Sequence, residues 1–111
     1  MVHGFGQCHL SWLRQLRGPL ARDFRLITFD LRGHGGSDKP PDPARYNHAR
    51  PWADDIAAVL DTAGVTRAVL VGWSFGGRVS LDYLAIRGTA RIAGLNLVGS
   101  SISPRPDLRG S

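Results

Sequence analysis

Gly72-Trp73-Ser74-Phe75-Gly76 is the segment of this chain whose residue types and spacing best suit chemistry. A serine with glycine two positions to either side can be held in a sharp turn, because the missing Cβ atoms leave room for the backbone. A hydroxyl held that way attacks a carbonyl carbon once a base takes its proton. The string alone carries little weight, since composition predicts about 0.1 chance matches in a chain of this length. Its setting carries more. The apolar run Ala68-Val69-Leu70-Val71 precedes it and a helical pattern follows, so Ser74 falls where a strand turns into a helix. The first N–H groups of that helix, Phe75 foremost, lack partners within it and can face a developing negative oxygen.

Two further segments bear on the same chemistry. His3-Gly4-Phe5-Gly6 follows Met1-Val2, which reads as the end of a strand, and precedes a helix. A backbone N–H in such a loop, here that of Phe5, can supply a second donor to the same oxygen. Phe29-Asp30-Leu31-Arg32-Gly33-His34-Gly35-Gly36-Ser37-Asp38 forms a Gly-rich turn after a strand, with Arg32 expected to reach back to Asp30. His34 near Asp30 suggests an acid–base pair, but a histidine in a Gly-rich turn is read as structural.

Other reactive side chains point to less. Cys8-His9 lies near a helix start with no orienting third group, so Cys8 is read as a small buried hydrophobe. The sequence has no CxxC, no HExxH and no paired histidine spacing, so no metal site is expected. No G-x-G-x-x-G follows a strand and Lys39 is not in a G-K-[ST] context, so no nucleotide or other cofactor is expected.

The elements that must hold these segments form an α/β pattern. Three short apolar runs, Leu26 to Phe29, Ala68 to Val71 and Leu95 to Val98, read as strands of a parallel sheet buried on both faces. Helices are expected over Ser11 to Leu16, Pro51 to Ala63 and Phe75 to Arg87. The second carries Trp52, Ile56, Val59, Leu60 and Ala63 on one face and Asp54, Asp55 and Asp61 on the other. The third is expected to be mostly buried through Phe75, Val79, Leu81, Tyr83, Leu84 and Ile86, with Gly88 ending it. The connection from Leu31 to Arg50 is long for a compact domain, as functional or disordered loops are.

Composition narrows the classes. Fourteen basic residues against nine acidic give +5, yet Lys39 is the only lysine and the arginines are scattered singly. No basic run and no aromatic interleaving marks a nucleic-acid surface. No apolar run approaches the roughly 18 residues of a membrane span, and Met1-Val2-His3-Gly4 has no signal-peptide character. One cysteine, Cys8, fits a reducing, cytoplasmic setting.

Taken in order, the HGFG loop, the FDLRGHGGSD segment and GWSFGG resemble the α/β-hydrolase family, closest to its esterase and cofactor-free haloperoxidase-like (perhydrolase) group. The resemblance runs from Met1 to about Ser100. It implies one partial domain over residues 1–111, holding three strands and the end of a fourth, without the family's first strands, lid and carboxy-terminal strands. It implies Ser74 as nucleophile, the Phe5 and Phe75 backbone N–H groups as oxyanion hole, and Gly72 and Gly76 as the turn around the serine. A serine at 74 separates the chain from the dehalogenase and epoxide-hydrolase branches, which carry aspartate there. The family order is serine, then acid, then histidine. Here His3, His9, His34 and His48 all precede Ser74, and no triad histidine is present. Asp107 is a weak candidate for the acid. The expectation is a serine hydrolase acting on small esters or related acyl substrates through an acyl-enzyme, inactive as this isolated piece. The alternative is a non-catalytic relative of the family.

Overall fold

The structure, a computed structural model, describes residues 1–100. In chain order it holds α1 (Leu13–Leu16), α2 (Leu20–Asp23), α3 (Ala49–Thr62), β1 (Ala68–Trp73), α4 (Phe75–Arg87) and β2 (Ile92–Val98), with 3-10 turns at His9–Trp12 and Pro43–Arg45. β1 and β2 pair in parallel, and α4 is the crossover between them. This is the expected α/β arrangement, a parallel sheet with flanking helices.

The helix boundaries follow from local chemistry. α3 begins two residues earlier than its apolar spacing suggests, with Pro51 in the first turn, where its missing N–H costs nothing. Trp52, Ile56 and Leu60 are buried as expected, joined by Ala53 and Ala57, while Val59 and Ala63 are only half-buried. α4 has the expected bounds. Gly88 ends it at φ +75°, its N–H bonded to the Leu84 carbonyl. Val79 and Tyr83 are fully buried in this helix, but Ile86 at its last turn is exposed. The expected helix from Ser11 is a 3-10 turn from His9 that widens into α1, and Gly18-Pro19 separates it from the unforeseen α2.

The sheet departs from expectation in two ways. The run from Leu26 to Phe29 is not a full strand. It pairs only through a bridge from Phe29 to Val2 and a bond from the Met1 nitrogen to the Ile27 carbonyl, 2.7 Å. Val2 stands between this run and β1 and bridges both, to Phe29 and to Gly72. The resulting lateral order is Phe29, Val2, β1, β2, all parallel. Nor are the strands buried on both faces. α4 covers one face, where Leu70 is buried, while Val69 and Val98, on the other face, are exposed among the described residues. Alternate residues of a strand point to opposite faces, so a one-sided cover leaves the side chains of the other face more open to solvent.

The long connection after Leu31 is ordered by a short polar network. The Arg32 guanidinium does not reach back to Asp30. It makes two parallel bonds to Asp55 on α3, Nε to Oδ2 at 2.6 Å and Nη2 to Oδ1 at 2.7 Å. It also donates to the Arg45 carbonyl at 2.6 Å and lies 5.8 Å from the Trp52 ring centroid. A planar fork suits a carboxylate placed at the right distance, and α3 presents one where Asp30 is already occupied by other donors. Arg32→Ala is expected to destabilise the chain by about 2 kcal/mol, with Arg32→Lys recovering less than half of it, since an ammonium cannot make the paired bonds. Denaturant midpoints of the two variants check this, and a lysine variant as stable as wild type would contradict it.

Candidate active site

Ser74 is where the backbone departs furthest from ordinary conformations. It sits between β1 and α4 at φ 54° and ψ −116°, and among the described residues it is the one non-glycine with positive φ. Such a conformation costs on the order of 1–3 kcal/mol and persists only where the surroundings enforce it. They do so here through close approach. A Cβ on Gly72 would stand 2.6 Å from the Gly76 carbonyl oxygen and the Gly77 backbone, and one on Gly76 would run into the Val2 and His3 carbonyl oxygens. The Ser74 N–H is bonded to the Val98 carbonyl at 2.9 Å, and the Gly77 N–H to the Ser74 carbonyl at 3.0 Å. The Ser74 residue is exposed, and its hydroxyl caps no helix N–H. Ser100 buttresses the turn from behind, its hydroxyl donating toward the Ser74 carbonyl at 3.0 Å.

The HGFG loop lies against this turn. The Val2 N–H bonds the Val71 carbonyl at 2.7 Å, and the Trp73 N–H bonds the Val2 carbonyl at 3.0 Å, so the loop leaves the sheet beside Ser74. A Cβ on Gly4 would lie 3.4 Å from the Ser74 Cβ, and the Phe5 and Phe75 rings meet edge to face with centroids 6.0 Å apart. Neither the Phe5 nor the Phe75 N–H has an acceptor among the described residues. Ser74, Phe5, Phe75, Gly72 and Gly76 are therefore brought together. Asp107 lies outside the described residues.

What sequence reading missed is how the loop is held. His3 is fully buried, its Nδ1 on the Gly4 carbonyl at 2.8 Å and its Nε2 accepting the Leu31 N–H at 2.9 Å. His34 repeats the device: Nδ1 meets the Arg32 carbonyl at 2.9 Å, and Nε2 accepts the Gly6 N–H at 3.0 Å. Both rings are thereby assigned as neutral, with the proton on Nδ1. Burial lowers the His3 pKa below its ordinary value, because a second proton would both charge a buried ring and oppose the Leu31 donor. The reading of His34 as structural agrees with these bonds.

Asp30 is the third anchor. It accepts the His9 N–H at 2.7 Å, the His9 ring nitrogen at 2.8 Å and the Gly36 N–H at 2.8 Å, and the Ser37 hydroxyl bonds its carbonyl. Burial alone would raise its pKa, but the Gly36 and His9 donors together outweigh it and bring the carboxyl down to about 2. The orienting group that Cys8-His9 lacks in sequence is thus supplied by Asp30, twenty-one positions downstream of His9. Adjacency of Cys8 and His9 gave no sign of it, because the contact is made only when Phe29 pairs beside Val2.

None of the four histidines meets Ser74. His3 and His34 use both ring nitrogens elsewhere, His9 faces Asp30, and His48 contacts Asn47. A cavity of about 700 Å³ lined by Phe29, Arg32, Lys39, Arg45, Asp55 and their neighbours does not include Ser74, Phe5 or Phe75. Among the described residues no helix is long and apolar enough to cross a membrane.

A family model described as the alpha/beta hydrolase fold matches residues 1–109. The chain belongs to the α/β-hydrolase family. It is similar to the 2-hydroxymuconate semialdehyde hydrolase of Pseudomonas sp. (strain CF600), 41% identical over 103 residues, covering 91% of this chain and 35% of the relative. Among solved structures it is similar to an esterase from Rhodococcus sp. ECU1013, at TM-score 0.83 and 50% identity, covering 92% of this chain and 38% of that one. Epoxide hydrolase 2 of Siraitia grosvenorii is also similar, 31% identical over 108 residues, covering 97% of this chain and 34% of the relative. The chain spans about a third of the length of the relatives it matches.

Proposed function

We propose that this α/β-hydrolase chain carries the nucleophile and oxyanion hole of a serine hydrolase that acts on esters or related acyl substrates through an acyl-enzyme. The observation that carries the reading is the conformation of Ser74: a strained, exposed serine at a strand-to-helix turn, in G-x-S-x-G. In this mechanism the Ser74 hydroxyl attacks the substrate carbonyl. The carbonyl oxygen gathers negative charge, and the N–H groups of Phe5 and Phe75, without acceptors among the described residues, take it up, helped by the N-terminus of the thirteen-residue α4. The relatives include both esterases and epoxide hydrolases, so similarity alone does not separate these chemistries. The serine at 74 favours acyl transfer, in which the nucleophile must lose a proton to a base.

That base is the missing part. These 111 residues hold no histidine after position 48, and no hydrogen bond joins any of the four present to Ser74. Loss of a triad histidine costs several orders of magnitude in rate, so the isolated chain is proposed to turn over esters very slowly. A perhydrolase activity would use the same serine with a carboxylic acid and peroxide, and the single cysteine supports a cytoplasmic site of action. The absent histidine contact also favours a second reading, a non-catalytic relative.

A fluorophosphonate probe separates the two, because it reports a reactive serine without requiring turnover. Labelling of the folded chain is expected, slowed by the missing base but driven by prolonged exposure to excess probe, and Ser74→Ala is expected to abolish it while leaving the circular dichroism spectrum intact. A folded wild-type chain that takes no label would leave the non-catalytic reading.

A further inference from the structure

Outside the Ser74 turn, one cluster of side chains has the chemistry of a binding site. Cys8, His9 and Asp30 place a sulfur, a ring nitrogen and a carboxylate oxygen within 4.8 Å of one another. We propose that they form a binding site for a zinc-type divalent cation, with the Cys8 thiolate, the His9 imidazole and the Asp30 carboxylate as three protein ligands.

The donor set selects the class of ion. Thiolate and imidazole suit a borderline-soft cation, whereas magnesium and calcium take oxygen ligands throughout. Three protein ligands leave a fourth tetrahedral position open to water. The cluster is already ordered: the Asp30 side chain is only 10% exposed, its carboxylate is fixed by the Gly36 and His9 backbone N–H groups, and the His9 ring lies on it at 2.8 Å. The Asp30 carboxylate is therefore already placed, and the ion replaces the ring bond between His9 and Asp30 while drawing in the Cys8 sulfur. Cys8 is half-buried, and the His9 side chain is 45% exposed, so the ion can reach the site from solvent. Binding takes the proton from the Cys8 sulfur, and the ring nitrogen that ligates must also be unprotonated. These protons pass to solvent, so affinity rises with pH. The site does not depend on any role for Ser74, although it lies at the base of the loop that carries Phe5.

Cobalt(II) titration of the chain tests the site. Cys8 is the sole thiol, so a thiolate-to-cobalt charge-transfer band in the near ultraviolet can come from no other residue. The expected result is a band that saturates at one ion per chain and is reversed by zinc. Cys8→Ser should lose the band. His9→Gln, which keeps the backbone bond to Asp30, should weaken binding about 10-fold or more, and His48→Gln should leave it unchanged. Circular dichroism confirms that each variant is folded, and the wild-type band is informative even if one is not. No band, a band saturating at one ion per two chains, or a His9→Gln variant that binds like wild type would overturn the proposal.

Discussion

Gly76→Ala is expected to lower the melting temperature by roughly 15 °C, corresponding to about 3 kcal/mol in a domain of this size. The new Cβ would meet the carbonyl oxygens of Val2 and His3, which are backbone atoms fixed by the bridges from Val2 to Gly72 and Phe29. No rotamer change relieves such a clash. Either the first turn of α4 moves off the sheet or the HGFG loop moves off Ser74, and each disrupts the candidate site. Gly94→Ala is the matched control: its nearest contacts are Val69 side-chain carbons at 3.8 and 3.9 Å, an ordinary distance, and its stability should change by less than about 1 kcal/mol. Thermal melts of the two variants check the pair. Equal losses would show that close packing at the turn is not what position 76 requires.

Acid is expected to unfold the chain in a limb set mainly by Asp30, and Asp30→Ala should remove that limb. The carboxyl titrates at about 2 in the folded chain against 3.8 in its absence of partners. A depressed pKa means that the unfolded chain binds the proton more readily. The stabilisation is therefore complete above about pH 4 and is lost as pH falls toward 2, amounting to about 2 kcal/mol. His3 adds a shallower decline at higher pH. Its lowered pKa makes the unfolded chain the better proton acceptor as pH drops below 6.5. At neutral pH, Asp30→Ala leaves the His9 and Gly36 N–H groups without their acceptor, and a loss of about 3 kcal/mol is expected. Denaturant unfolding from pH 7 to pH 2.5 tests both statements. A wild-type chain equally stable at pH 5 and pH 2.5 would contradict the anchoring role of Asp30.

Much of this was legible in the sequence because it depends on local pattern. α4 was bounded at both ends by glycine chemistry, and the strand-to-helix setting of Ser74 follows from the apolar run before it and the helical spacing after it. Three elements were not legible, each because a partner distant in sequence decides the outcome. Leu26 to Phe29 has the composition of a buried strand, but strand pairing depends on a neighbour distant in sequence, and among the described residues the run pairs through the bridge from Phe29 to Val2. Arg32 is two residues from Asp30 yet turns to Asp55, because backbone N–H groups had already filled the nearer carboxylate. His9 and Asp30 are far apart in the chain and meet only through the sheet. The residues that hold the loop, His3 and His34, were visible as motif members, but their bonds to Leu31 and Gly6 could not be read from spacing.

The central claim is that Ser74 is a nucleophile served by an oxyanion hole. Acetyl transfer from p-nitrophenyl acetate tests it most directly, since that leaving group needs no general acid and a missing base slows deacylation as well as acylation. Incubation followed by peptide mass mapping should show one acetyl group on the peptide that contains Ser74, absent from Ser74→Ala. Acetylation confined to Lys39, Cys8 or the amino terminus, with Ser74 unmodified in the folded chain, would contradict the claim.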